Sequence, residues 1–243
     1  MSSGRLIGVG VGPGDPGHLT MNALRALQEA DRVFVPETES SSGGRGRAEA
    51  VVALHVPEDR IERLHFSMRT GSARPAQWDE AGRRIAAVTD GGGTAVFATL
   101  GDPNVYSTFT YVAATVRTLA PDVEVSTVPG ITAMQDLAAR SGTVLAEGSE
   151  SVTLVAYTAG TGDLLRDVLR QDGTVVVYKG GPHLPEVLDA IRDAGRLGAT
   201  VYGADLGLDG EQISAASARD GNAPYMSTMI VPARRTGKRG AKL

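Results

Sequence analysis

The chain has 243 residues, no cysteine, and 24 basic against 28 acidic side chains, a net charge of −4. Disulfides, thiolate metal centres and thiol catalysis are therefore excluded, and the acidic balance argues against a general nucleic-acid binder. With 42% hydrophobic residues, no apolar run of spanning length and no signal-like start, the expectation is a cytoplasmic α/β protein without a membrane partner, in one large domain or two small ones.

Leu6-Ile-Gly-Val-Gly-Val reads as a buried strand closed by Gly12-Pro-Gly-Asp-Pro-Gly17. A helix is expected to open near His18 or Leu19, with Leu19, Ala23, Leu24, Leu27 and Ala30 at helical spacing. Val33-Phe-Val35 is a strand ended by Pro36, and the Ser- and Gly-rich stretch 37–47 a loop. A helix over 48–54, a strand over 60–66 and a helix over 78–88 follow. Thr94-Ala-Val-Phe-Ala-Thr-Leu100 reads as a fully buried strand, and 110–119 as a helix.

A second α/β set is expected from Val123 onward. Its strands lie near 123–128, 152–156, 174–178, 199–202 and 227–232, and its helices over 134–139, 164–169 and 184–194. The alternation implies crossover units and largely parallel sheets. This reading places domains at 1–125 and 126–233. The last ten residues, 234–243, carry five basic side chains and read as a solvated, disordered tail.

Three glycine turns stand out. Gly8-Val-Gly-Val-Gly-Pro-Gly-Asp-Pro16 follows the first strand, yet both registers of a dinucleotide fingerprint fail, with Pro13 or Asp15 at the third glycine position. Prolines remove donors and the aspartate would repel a pyrophosphate, so the turn suits a neutral or cationic ligand, or no ligand. Leu100-Gly-Asp-Pro-Asn-Val-Tyr-Ser-Thr108 ends a buried strand, where ligands of open α/β sheets gather. Asp102 there is either a ligand carboxylate or a local cap. Val128-Pro-Gly-Ile-Thr-Ala133 opens a helix, with Thr132 as a cap.

Together and in this order, these segments, with Val177-Tyr-Lys179 and Pro224-Tyr-Met-Ser227, resemble the tetrapyrrole methylase family, the class III S-adenosylmethionine-dependent methyltransferases. The resemblance spans roughly 6–231. Gly101-Asp-Pro-Asn-Val-Tyr-Ser-Thr-Phe-Thr-Tyr111, Leu145-Ala-Glu-Gly-Ser-Glu150 and Pro224-Tyr-Met-Ser are similar to the branch acting at C-20 of precorrin-2. It implies two α/β domains with the cofactor in a cleft between them, a small-molecule tetrapyrrole substrate and a homodimer. Carried over by position, the S-adenosylmethionine contacts would be Pro13, Leu100, Gly101, Asp102, Val105, Thr132, Ala133, Lys179 and Leu206, several through backbone atoms. Two segments depart from the family pattern: Lys179-Gly-Gly-Pro182 where relatives often have Lys-x-Gly-Arg, and Ala204-Asp-Leu-Gly207 at the adenine end.

Direct methyl displacement from a sulfonium needs alignment and exclusion of water, not a covalent nucleophile or a metal. The four histidines, His18, His55, His65 and His183, lack ligand spacing. Asp15 is the first candidate for the base that takes the macrocycle's proton. Tyr106 and Tyr111 are candidates to bind the ring. Arg60, Arg63, Arg69, Arg74, Arg83 and Arg84 form either a basic rim for substrate carboxylates or ordinary surface charge. A nicotinamide oxidoreductase is disfavoured by the failed fingerprint; a binding module without catalysis, or methylation at another ring carbon, stays open.

Overall fold

The computed structural model describes residues 4–37, 44–66 and 73–235. The chain divides into two compact units, Met1–Thr132 and Ala133–Leu243.

The first unit is a five-stranded, all-parallel sheet in the order β3-β2-β4-β1-β5. Its strands are β1 (Arg5–Gly10), β2 (Arg32–Glu37), β3 (Ile61–His65), β4 (Thr94–Thr99) and β5 (Glu124–Val128). Its helices are α1 (Met21–Glu29), α2 (Arg47–Val52), α3 (Ala73–Thr89) and α4 (Phe109–Leu119). The centre of the sheet is β4, in which every residue is buried because both faces are covered. Val96 and Ala98 point to a core shared with Ala23, Leu27, Val51 and Val52, so α1 and α2 lie on that face. Ala95 and Phe97 point the other way, to Ile85, Phe109, Val112 and Val116 of α3 and α4. Alternation along one strand thus sorts four helices into two layers.

Three sequence expectations shift here. The helix after the first turn opens at Met21 rather than His18 or Leu19: Pro16–His18 forms a 3-10 turn, and Thr20 Oγ1 accepts from Ala23 N at 3.1 Å to cap α1. Strand β2 runs through Pro36 to Glu37; its pairing with β4 stops at Phe34, so Pro36 lies where only β3 is alongside. The domain boundary at 125/126 cuts through β5. That strand pairs with β1 from Arg5↔Glu124 to Val9↔Val128 and completes the first sheet, and the first unit runs on to Thr132.

The second unit has strands β6 (Val152–Ala156), β7 (Thr174–Tyr178), β8 (Val201–Ala204), β9 (Gln212–Ala215) and β10 (Ser227–Val231), in the order β6-β7-β10-β8-β9. Its helices are α5 (Ala133–Ser141), α6 (Gly162–Leu169) and α7 (Leu184–Asp193). Only β6 and β7 pair in parallel; β10 enters antiparallel between β7 and β8, and β9 folds back on β8. The expectation of largely parallel sheets therefore holds for the first unit alone. Strand β9 has no forerunner among the expected elements, because a four-residue edge strand with one large apolar side chain, Ile213, carries little periodic signal. One face of the sheet packs Val175, Val177, Met229 and Val231 on α6 and α7. The other packs Val176 and Ile230 with Leu137 of α5 and Leu206. The basic tail expected at 234–243 lies, from 236 onward, outside the described residues. Arg235 bonds Glu150 through Nη2 at 2.6 Å.

Candidate active site

In the first unit every strand is parallel, so the three turns singled out in the sequence leave the same edge of the sheet, from the adjacent strands β4, β1 and β5. Chain order reverses beside β1, the place where open α/β sheets bind ligands. Backbone bonds join the first two turns: Val11 N donates to Thr99 O at 2.9 Å, and Gly101 N to Gly12 O at 2.8 Å. Asp102 joins the second to the third. Its Oδ1 accepts from Asn104 N at 2.8 Å and its Oδ2 from Gly130 N at 3.0 Å. Asn104 Nδ2 also donates to Thr127 Oγ1 of β5 at 3.3 Å.

The turns meet too closely for side chains. A Cβ on Gly10 would stand 2.4 Å from Gly101 O and 2.6 Å from Gly130 N; one on Gly130 would stand 2.1 Å from Gly101 O. Bare backbone is thus what the meeting point of the three turns is made of. Pro13 is buried in the first turn; Leu100, Gly101, Asp102 and Val105 are half-exposed in the second; Thr132 is buried in the third. Asp15 is half-exposed and caps the 3-10 turn, its Oδ1 accepting from Gly17 N at 2.8 Å. Tyr106 is exposed, with a left-handed backbone at φ 50°. Ser107, which the sequence does not single out, holds the end of that turn: it donates to Thr99 Oγ1 at 3.1 Å and accepts from Phe109 N at 3.1 Å. Tyr111 lies edge-on to Trp78, ring centroids 4.4 Å apart.

In the second unit, the remaining expected contacts are Ala133, the first residue of α5, and Lys179 and Leu206 in the turns after β7 and β8. These two strands run in the same direction, so both turns flank the start of β10. Lys179 N donates to Ser227 O at 3.1 Å and Asp205 N to Met226 O at 3.4 Å. The Pro224-Tyr-Met-Ser227 motif is therefore the anchor of both turns. Lys179 Nζ lies 5.8 Å from the centre of the Tyr225 ring. Gly181 and Pro182 enter a 3-10 turn before α7, and a Cβ on Gly181 would stand 1.9 Å from Pro224 O. Pro182 stands where the resemblance implies an arginine, and its side chain offers no donor.

Backbone strain marks the same places. Among the described residues, three non-glycine residues have left-handed backbones: Tyr106, Lys179 and Asp205 (φ 50°, 63° and 50°). All three lie in turns carrying expected cofactor contacts, and such conformations persist where the surroundings hold them for function.

Four of the arginines weighed as a basic rim or as ordinary surface charge, Arg60, Arg63, Arg83 and Arg84, are engaged within the protein. Arg60 Nη1 donates to Gln28 O and Ala30 O, Arg83 pairs with Glu80, and Arg84 with Glu62 at 2.6 Å. Arg63 grips buried Glu49 with two bonds, of 2.8 and 2.7 Å. Arg69 and the side chain of Arg74 lie outside the described residues. Arg63's hydrogen bonds hold the Glu49 carboxyl below its usual 4.5, against the opposing effect of burial. A depressed carboxylate contributes stability above its unfolded value and loses it as pH falls through the folded one. Arg63→Gln is thus expected to be less stable than the parent at pH 7 and to converge on it as pH drops below 4.5, measured by urea unfolding across pH. A stability gap that persists unchanged well into the acid range would contradict this assignment.

An α/β protein of two units, with glycine-built turns crowded at strand ends, is the class this fold and these turns define. Residues 5–220 match the family of Tetrapyrrole (Corrin/Porphyrin) Methylases, and the chain belongs to it. A precorrin-2 C(20)-methyltransferase of Sinorhizobium sp is 31% identical over 240 residues, covering 94% of this chain and 95% of that protein. A cobalt-precorrin-2 C(20)-methyltransferase of Salmonella typhimurium is 26% identical over 234 residues, covering 94% and 96%. Among solved structures, the cobalt precorrin-4 methyltransferase CbiF shares the fold, with a TM-score of 0.70 at 18% identity over 94% of both chains. Among the described residues, no helix is long and apolar enough to cross a membrane.

Proposed function

We propose that this protein is an S-adenosylmethionine-dependent methyltransferase of cobalamin biosynthesis that methylates C-20 of precorrin-2 to give precorrin-3A, acting as a homodimer. The observation that supports the transfer chemistry is the coincidence of strained, backbone-built turns with the cofactor positions implied by the family. The ring position rests on the two C(20)-methyltransferase relatives and on the Gly101–Tyr111 segment. Methylation at another ring carbon of a precorrin or cobalt-precorrin is the alternative.

S-adenosylmethionine supplies an electrophilic methyl on a sulfonium. Bare backbone at Leu100 and Gly101, with Pro13, Val105 and Thr132, suits such a cofactor: both oxygens of Asp102 already take backbone N–H groups, so this carboxylate fixes the turns while their peptide groups hold the ligand. In the second unit Ala133, Lys179 and Leu206 present backbone from two anchored turns and a helix start. When bound, the sulfonium would supply its methyl to the attacking ring carbon, with S-adenosylhomocysteine as the leaving group and a proton left on that carbon to be removed. Asp15 takes that proton on the carboxylate oxygen not used by Gly17, and Tyr106 binds the ring.

Anaerobic incubation of the protein with S-adenosylmethionine and precorrin-2 tests this. A mass gain of one methyl, located at C-20 by NMR, is expected. A methyl at another carbon would favour the alternative, and absence of both transfer and cofactor binding would sink the reading.

A further inference from the structure

A charged cluster in the second unit grips the Asp205–Gly207 turn. Glu211 Oε2 accepts from Gly207 N at 2.6 Å and also pairs with Arg140 Nη1 near the end of α5. One helical turn back, buried Asp136 lies 3.3 Å from Arg140 Nε and orients the guanidinium. One face of α5 therefore holds the turn twice: Leu137 packs against buried Leu206, and Arg140, three residues on, holds the carboxylate that takes the next backbone N–H. The turn needs such holding, because Asp205 and Gly207 on either side of Leu206 both have left-handed backbones (φ 50° and 72°).

We propose that Glu211, oriented by Arg140 and Asp136, is a positioning residue that presets the Leu206 backbone and ties it to the helix that begins at Ala133. The inference rests on the cofactor role given above to Ala133 and Leu206. It adds three side chains that touch neither cofactor nor substrate and act through the peptide group between Leu206 and Gly207. A carboxylate suits this role because it can accept the backbone N–H and a guanidinium together, and the charged pair strengthens the bond to Gly207.

The test uses the full chain and two readouts. Calorimetric titration with S-adenosylhomocysteine is expected to show Glu211→Ala weakened about tenfold, the worth of one charge-assisted hydrogen bond. Glu211→Gln keeps an oxygen for Gly207 N and is expected to recover at least half of that loss on a logarithmic scale. In the ligand-free protein, NMR hydrogen exchange of the Gly207 amide is expected to quicken about tenfold in Glu211→Ala and less in Glu211→Gln. Exchange at Gly207 within twofold of the parent, or a glutamine variant no better than alanine in exchange or affinity, would overturn the positioning role. A parent protein that fails to bind S-adenosylhomocysteine would instead count against the methyltransferase reading, while the exchange experiment still decides the role of Glu211 in the turn.

Discussion

Replacing Arg196 with methionine is expected to destabilise the second unit by on the order of 3 kcal/mol or more, read by urea unfolding. Arg196 is 4% exposed, and its guanidinium serves backbone oxygens alone. Nη1 donates to Leu169 O and Gln171 O at 3.2 and 3.1 Å; Nη2 donates to Gly173 O, Val231 O and Pro232 O at 2.6, 3.2 and 2.8 Å. These five carbonyls come from the end of α6, the turn into β7 and the end of β10, so one side chain closes three chain segments. Removal takes the donor from two buried acceptors, Leu169 O and Val231 O, and from three part-buried ones, each buried one penalised by about 1–3 kcal/mol unless water replaces the donor. Burial pulls the guanidinium below its ordinary pKa, as does the nearby Arg234, against the opposing pull of Asp172.

The local sequence explains why arginine stands there. Helix α7 ends in a Schellman motif: Gly195 N donates to Arg192 O at 2.8 Å and Arg196 N to Ile191 O at 3.1 Å, with Gly195 at φ 68°. That turn aims the next side chain back under the helix. Arg196→Lys is expected to fall between parent and methionine variant, because an ammonium offers three donors where the guanidinium makes five bonds. A methionine variant within about 1 kcal/mol of the parent would show that water takes over the carbonyls.

Arg196 also illustrates what a sequence hides. The run Thr94–Thr99 announces a central strand because its pattern is local, and the Gly-Asp-Pro turns announce a site because turn chemistry is local. The farthest partner of Arg196 lies 36 residues away, and that of Glu211 71 residues away. The identity of Asp102 as a tie between two turns depends on Gly130, 28 residues on, and so the sequence alone leaves both a ligand role and a capping role open. The same limit explains β10: nothing in Ser227-Thr-Met-Ile-Val says that it will enter between β7 and β8 and reverse the sheet's sense. The resemblance names Tyr106 and Lys179, and Leu206 beside Asp205, while the left-handed backbones of Tyr106, Lys179 and Asp205 are not legible in their residue types.

Gly130→Ala is expected to lower affinity for S-adenosylhomocysteine a hundredfold or more, because it attacks the backbone of the site rather than a side chain. Its added methyl would stand 2.1 Å from Gly101 O and 2.7 Å from Gly10 Cα, and both neighbours are backbone, with no rotamer to turn away. The third turn must then move off the second, which stretches the bond from Gly130 N to Asp102 Oδ2 and shifts Thr132 two residues later. Displacements of an ångström in a site built of peptide groups undo several contacts together, and two powers of ten correspond to about 2.7 kcal/mol. Two companion variants separate the causes. Asp102→Asn keeps an oxygen for only one of its two backbone partners, so it loses a tie without adding bulk, and a loss near tenfold is expected. Gly198→Ala adds the same methyl in the second unit with nothing within 4 Å, and is expected to bind as the parent does. If Gly130→Ala bound as tightly as Gly198→Ala, the cofactor would not be held by these turns; if it bound no worse than Asp102→Asn, the close approach of the three glycines would matter only through the carboxylate that joins them.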